Sequence, residues 1–135
     1  MDEVILPRDF IHGMLSHGRS AYPDEACGIL AGEGSTAVVL YKASNAESSP
    51  VSYLIDPQEQ VRIIKEIRDK GMRMVAIYHS HPYSPPYPSP TDVKLAFYSD
   101  AAYIIVSLLD RDNPEVKAFE IADGRVREID IKVHD

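Results

Sequence analysis

The chain has 135 residues, 44% of them hydrophobic, with one cysteine and a net charge of −7. That length supports one core spanning residues 1–135 as a single domain and leaves little room for a second. No apolar run approaches the roughly 20 residues that span a bilayer, Asp2 and Glu3 break the pattern of a signal peptide, and the acidic balance argues against affinity for nucleic acid.

Taken in chain order, Pro7 and Arg8 open a helical pattern carrying Phe10, Ile11, Met14 and Leu15, with an end expected near Gly18. His12 and His17 fall on this segment but not on one helical face, so surface or capping roles suit them better than metal binding. Two strands follow, around Ala26–Ala31 and Thr36–Tyr41, joined by the turn Gly32-Glu33-Gly34-Ser35, and a third is expected over Ser52–Ile55. Asp56-Pro57 reads as an N-cap with proline at the first helical position, and Val61, Ile64 and Ile67 carry that helix to Gly71. A buried strand over Met74–Tyr78, a helix over Thr91–Tyr98 and strands near Ala102–Leu108, Val116–Ile121 and Val126–Val133 complete the chain. His134 lies in the tail and earns no role. The expected architecture is a central sheet with helices packed against it.

The chemistry concentrates in His79-Ser80-His81-Pro82 and Ser89-Pro90-Thr91-Asp92. At a two-residue spacing on a strand end, His79 and His81 point the same way. Asp92, across a proline-rich loop, adds a hard oxygen, and two imidazoles with one carboxylate leave a fourth tetrahedral position open for water, as a catalytic zinc site requires. Glu25, where a polar turn enters an apolar segment, is the candidate base, although the residues alone do not separate it from Asp24 or Glu33. Ser89-Pro90-Thr91-Asp92 is also what a helix start looks like, so capping by itself accounts for Ser89 and Asp92. Both roles are compatible. The loop Tyr83–Pro88 reads as a stiff spacer that sets the distance from His81 to Ser89, with Tyr83 or Tyr87 bordering a substrate groove, rather than as a polyproline ligand.

A glutamate at the start of a strand, then His-Ser-His-Pro, then Ser-x-x-Asp with seven residues between His81 and Ser89, resembles the JAMM motif of MPN-domain metallopeptidases, the zinc isopeptidases that act on ubiquitin and its relatives. The resemblance runs from about Ile5 to Val133 and implies one compact α/β (α+β) domain of the MPN, cytidine-deaminase-like type, with a central mixed, mostly antiparallel β-sheet flanked by helices. It implies one Zn2+ held by His79, His81 and Asp92 with water as the fourth ligand, Glu25 as general acid and base assisting attack of that water, and Ser89 as the hydroxyl that steadies the oxyanion. Relatives specific for ubiquitin carry extra insertions that hold ubiquitin, and here the connection from Tyr53 to the helix at Pro57 and the stretch after Tyr98 are both too short for that. The bare domain resembles prokaryotic members that cut after the C-terminal Gly-Gly of ubiquitin-like sulfur-carrier proteins. The implied partner is such a carrier, with neither nucleic acid nor membrane, and a homodimer is left open.

Other classes of function stay in view. A protein-binding MPN scaffold without catalysis is opposed by the complete set His79, His81, Asp92, Ser89 and Glu25, and a zinc amidohydrolase acting on a small amide remains an alternative. Cys27, the only cysteine, excludes an intrachain disulfide, fits a reducing, cytoplasmic setting and reads as a small core residue, with nothing nearby to lower its pKa for nucleophilic work.

Overall fold

The computed structural model describes all of residues 1–135. Its elements run β1 (Glu3–Pro7), α1 (Arg8–Ala21), β2 (Cys27–Glu33), β3 (Thr36–Ala43), α2 (Pro57–Asp69), β4 (Arg73–His81), α3 (Pro90–Lys94), β5 (Ala102–Ser107), β6 (Glu115–Ala122) and β7 (Arg125–His134). The strands lie in the order β1-β3-β2-β4-β5-β6-β7 and close on themselves through β1. The sheet is mixed and mostly antiparallel: β2/β3, β2/β4, β5/β6 and β6/β7 are antiparallel, whereas β1/β3, β1/β7 and β4/β5 are parallel.

Helices cover both faces, so the central strands are apolar on both sides and read as continuous hydrophobic runs. Leu30, Ala76, Tyr78 and Ile104 pack with Met14 of α1, while Cys27, Ile29, Ile77 and Ile105 pack with Ile63 and Ile67 of α2. His79 and His81 continue the row of Ile77, so the alternation of β4 sends both rings towards the α2 side. Gly28 faces Tyr78 across the β2/β4 ladder, and a Cβ at that position would collide with the Tyr78 ring and the Tyr41 carbonyl. The space that glycine leaves lets Tyr78 reach His17, whose Nδ1 lies 2.7 Å from the tyrosine oxygen.

One strand lies outside the sequence expectations, and three element expectations need correction. Glu3–Pro7 is a strand, because Val4 and Leu6 are buried and its backbone pairs with Asp130–His134 at the far end of the chain. Helix α1 passes Gly18 and ends at Ala21; the missing side chain there admits Ser80, whose Cβ lies 3.3 Å from where a Gly18 Cβ would stand. Ser52–Ile55 is not a strand but a strap whose only ladder contact is the bridge between Asn45 and Ile55. Helix α3 stops at Lys94 rather than Tyr98, since the Tyr98 amide donates to the Tyr103 hydroxyl at 3.0 Å instead of continuing the helix.

Candidate active site

The end of β4, the entry to β2 and the start of α3 meet at one place. His79 and His81 are 1% and 2% exposed, Glu25 3% and Asp92 9%, so four polar groups are buried together. Asp92 reaches the histidines because α3 starts there. The Ser89 Oγ accepts from the Asp92 amide at 3.0 Å and Asp92 Oδ2 accepts from the Ser89 amide at 2.9 Å, a reciprocal cap behind Pro90 that fixes the carboxylate's direction. The same Oδ2 stands 3.1 Å from His79 Nε2 and 3.0 Å from His81 Nε2, and the two Nε2 atoms are 3.1 Å apart.

The tautomer of His81 follows from its other nitrogen. Nδ1 donates to the Pro85 carbonyl at 2.9 Å, leaving Nε2 with a lone pair aimed at the centre. The proline-rich loop therefore orients a ring as well as spacing the chain; its Tyr83 and Tyr87 are exposed, with Tyr83 edge-on to Tyr22 and Tyr87 edge-on to Phe119. His79 is held differently. The ring of Tyr53, carried by the strap, stacks on it with centroids 4.5 Å apart and planes 22° from parallel, and its Nδ1 is buried without a hydrogen-bond partner.

Burial is the first cause of each shifted pKa here. It holds His79 below the ordinary imidazole value despite the hydrogen bond with Asp92, which keeps the ring neutral. His81 meets the same penalty, but Asp92, the Pro85 carbonyl and Glu25 outweigh it and its pKa rises. Burial raises the Asp92 carboxyl, and the hydrogen bonds with His79, His81 and Ser89 overcome that and bring it well below the usual carboxylate range. Glu25 is pushed up to about 8 by burial, with Asp92 and Glu47 adding to the shift and His81 opposing it. Its Oε1 has no hydrogen-bond partner.

A metal ion fits these residues. Two imidazole nitrogens and an ionised carboxylate oxygen, all within 4.8 Å of one another, present lone pairs to one point. Around an ion bonded at ~2.0–2.1 Å, tetrahedral ligand atoms stand about 3.3 Å apart, close to the separations found here. Glu25 lies outside the three-residue donor group. An apolar cleft of about 200 Å³ opens beside Asp92, bordered by Tyr53, Leu54, Leu95, Phe97 and Tyr98.

The structure thus brings together His79, His81, Asp92, Ser89 and Glu25, the five residues singled out from the sequence, and leaves His12 and His134 exposed elsewhere. Cys27 is buried in the core with its thiol pushed up to about 12 by burial, which disarms it as a nucleophile. Sequence reasoning missed three contributors. Ser80, unassigned between the histidines, accepts from the Ala26 amide through Oγ at 2.7 Å and donates its own amide to the Ala26 carbonyl at 3.0 Å. Tyr53 was read as strand, and Asn45, which bonds to the Glu25 carbonyl, carried no signal beyond its place in a polar turn.

Residues 7–122 match the family model of prokaryotic homologs of the JAB domain. The chain belongs to this family. Among its relatives, the CysO-cysteine peptidase of Mycobacterium tuberculosis is 41% identical over 132 residues, covering 96% of this chain and 90% of the relative. The desampylase of Haloferax volcanii is 35% identical over 135 residues, covering 95% and 94%. The solution structure of DSY2949 from Desulfitobacterium hafniense superposes with a TM-score of 0.88 at 35% identity, over 98% of this chain and 93% of that one. Family and relatives together identify the chain as a hydrolase of the JAMM type with a single JAB/MPN fold.

Proposed function

We propose that this chain is a zinc-dependent peptidase or isopeptidase that cuts after the C-terminal Gly-Gly of a ubiquitin-like or sulfur-carrier protein. The observation that carries the reading is the convergence of His79, His81 and Asp92, with Glu25 buried beside them but outside the donor set. Zinc held by these three residues would supply Lewis acidity, polarising the scissile carbonyl and lowering the pKa of a water to about 7.

The chain's own groups divide the remaining work. Glu25 accepts the proton of the attacking water and hands it to the departing amine; burial raises its proton affinity above that of an exposed carboxylate, and the positive charge of bound zinc would oppose that rise and favour the ionised form that takes the proton. Ser89 uses its oxygen as the acceptor of the α3 cap, so its hydroxyl proton is free to bond the tetrahedral oxygen. Asp92, fixed by that cap, holds the histidines in register.

The substrate class is supported by the mycobacterial relative, a peptidase named for CysO-cysteine, and by the archaeal desampylase. A tail of two glycines has no side chains to obstruct a narrow approach, and the cleft beside Asp92 offers apolar surface to the residues before it. A cytoplasmic location for a single working domain is supported by the buried, unpaired Cys27, and no helix is long and apolar enough to cross a membrane.

The reading is tested by incubating the zinc-loaded protein with a ubiquitin-like carrier extended by one residue beyond Gly-Gly, beside an unrelated unstructured peptide. Trimming of the carrier alone is expected. Equal cleavage of both overturns the Gly-Gly assignment, and cleavage of neither favours a small amide substrate or a binding scaffold.

A further inference from the structure

The backbone of Glu25 is held from an unexpected direction. Asn45 uses its whole hydrogen-bonding capacity: Oδ1 accepts from the amides of Glu47 at 3.0 Å and Leu54 at 3.1 Å, while Nδ2 donates to the carbonyls of Ser52 at 3.0 Å and Glu25 at 3.1 Å. Three of these bonds stay within the segment between β3 and α2. The fourth crosses to a residue 20 positions earlier in the chain. That segment also receives the Glu25 amide, which donates to the Ser49 carbonyl at 2.8 Å, and it carries Tyr53 to its stack on His79.

A residue that only folded its own turn would need only the three bonds that stay within this segment. The fourth, from Nδ2, grips the carbonyl of Glu25, so both the carbonyl and the amide of Glu25 are tied to the segment between β3 and α2. We propose that Asn45 is a positioning residue for the hydrolytic reaction, its Nδ2 setting the backbone of Glu25 and thereby the direction of the Glu25 carboxyl, while its Oδ1 folds the strap that lays Tyr53 over His79. The proposal rests on the reading of Glu25 as the base. Misplacing a reacting group by about 1 Å costs up to a hundredfold in rate.

Asn45→Asp keeps the two contacts from the Glu47 and Leu54 amides and loses both donor bonds, to the Glu25 carbonyl and, within the segment, to the Ser52 carbonyl; the Leu54 amide therefore reports whether the segment itself stays folded. The comparison variant is Ile121→Val, which trims the core on β6 away from the site. With the carrier substrate, Asn45→Asp is expected to lower kcat at least tenfold with KM changed less than twofold and zinc still stoichiometric. Ile121→Val is expected to keep kcat within twofold. Amide hydrogen exchange gives a readout independent of turnover: in Asn45→Asp the Glu25 amide exchanges at least tenfold faster while the Leu54 amide stays protected. Wild-type kcat in Asn45→Asp, or an unchanged Glu25 exchange rate, overturns the proposal, as does a kcat defect repaired by added zinc. If the zinc-loaded wild type cleaves no carrier, the proposed activity fails, and the exchange rates of Glu25 and Leu54 alone decide whether Asn45 holds the Glu25 backbone.

Discussion

The Ser80 Oγ lies 2.7 Å from the Ala26 amide nitrogen, so the residue between the two site histidines holds the residue that follows Glu25. Both groups are buried. Ser80→Ala leaves the Ala26 N–H without a partner, which costs about 1–3 kcal/mol. Denaturant melts are expected to show that loss, and kcat is expected to fall while zinc stays bound. A variant as stable as the wild type would mean that the Ala26 amide finds another acceptor.

Removing the base and removing a ligand should have different signatures. Glu25→Gln keeps the shape of the site and is expected to retain zinc while losing on the order of 10²–10⁴ in kcat. His79→Ala and Asp92→Ala are expected to lose metal and turnover together. Metal analysis beside steady-state kinetics on the three proteins separates the roles, and full activity in Glu25→Gln would overturn the assignment of the base.

The cap that Ser89 makes and the oxyanion role proposed for it use different atoms. Ser89→Ala removes the acceptor of the Asp92 amide and is expected to cost about 1 kcal/mol of stability. Loss of the hydroxyl donor is expected to cost about a hundredfold or more in rate with zinc retained. Lower stability with an unchanged rate would assign Ser89 to the cap alone.

The Glu25 carboxyl gives the metal-free protein a pH dependence of definite sign. Its folded pKa of about 8 exceeds the ordinary 4.5, so between these values the folded state holds a proton that the unfolded chain releases. This group therefore destabilises the fold progressively as pH rises from 4.5 towards 8, by on the order of a few kcal/mol at the upper end. After chelation, Glu25→Gln is expected to unfold at higher denaturant than the wild type at pH 8, the advantage fading by pH 5. A difference independent of pH would contradict it.

How much the residues alone disclosed varied with how local the cause was. β4 was legible because an apolar run ends in histidines two apart, and α2 because Asp56 caps it ahead of Pro57, accepting from the Gln58 and Glu59 amides. The convergence of His79, His81 and Asp92 shared that advantage, all three lying in the segment from His79 to Asp92. β1 escaped notice because its partner is β7, at the opposite end of the chain. The strap was misread because Tyr53, Leu54 and Ile55 favour a strand, whereas Asn45 takes the Leu54 amide and the Ser52 carbonyl that a ladder would use. Gly18 looked like a helix stop and is a packing contact with Ser80. The residues that support Glu25, namely Asn45 and Ser80, lie 20 and 54 positions from the groups they hold, beyond the reach of any local pattern.

The most direct test of the account is zinc content and carrier cleavage measured on one preparation, before chelation, after it and after zinc is restored. The account predicts one zinc per chain, cleavage of the residue beyond Gly-Gly, loss of both on chelation and return of both with zinc. Cleavage that persists after the metal has been removed would contradict it, as would purified protein that takes up no zinc at all.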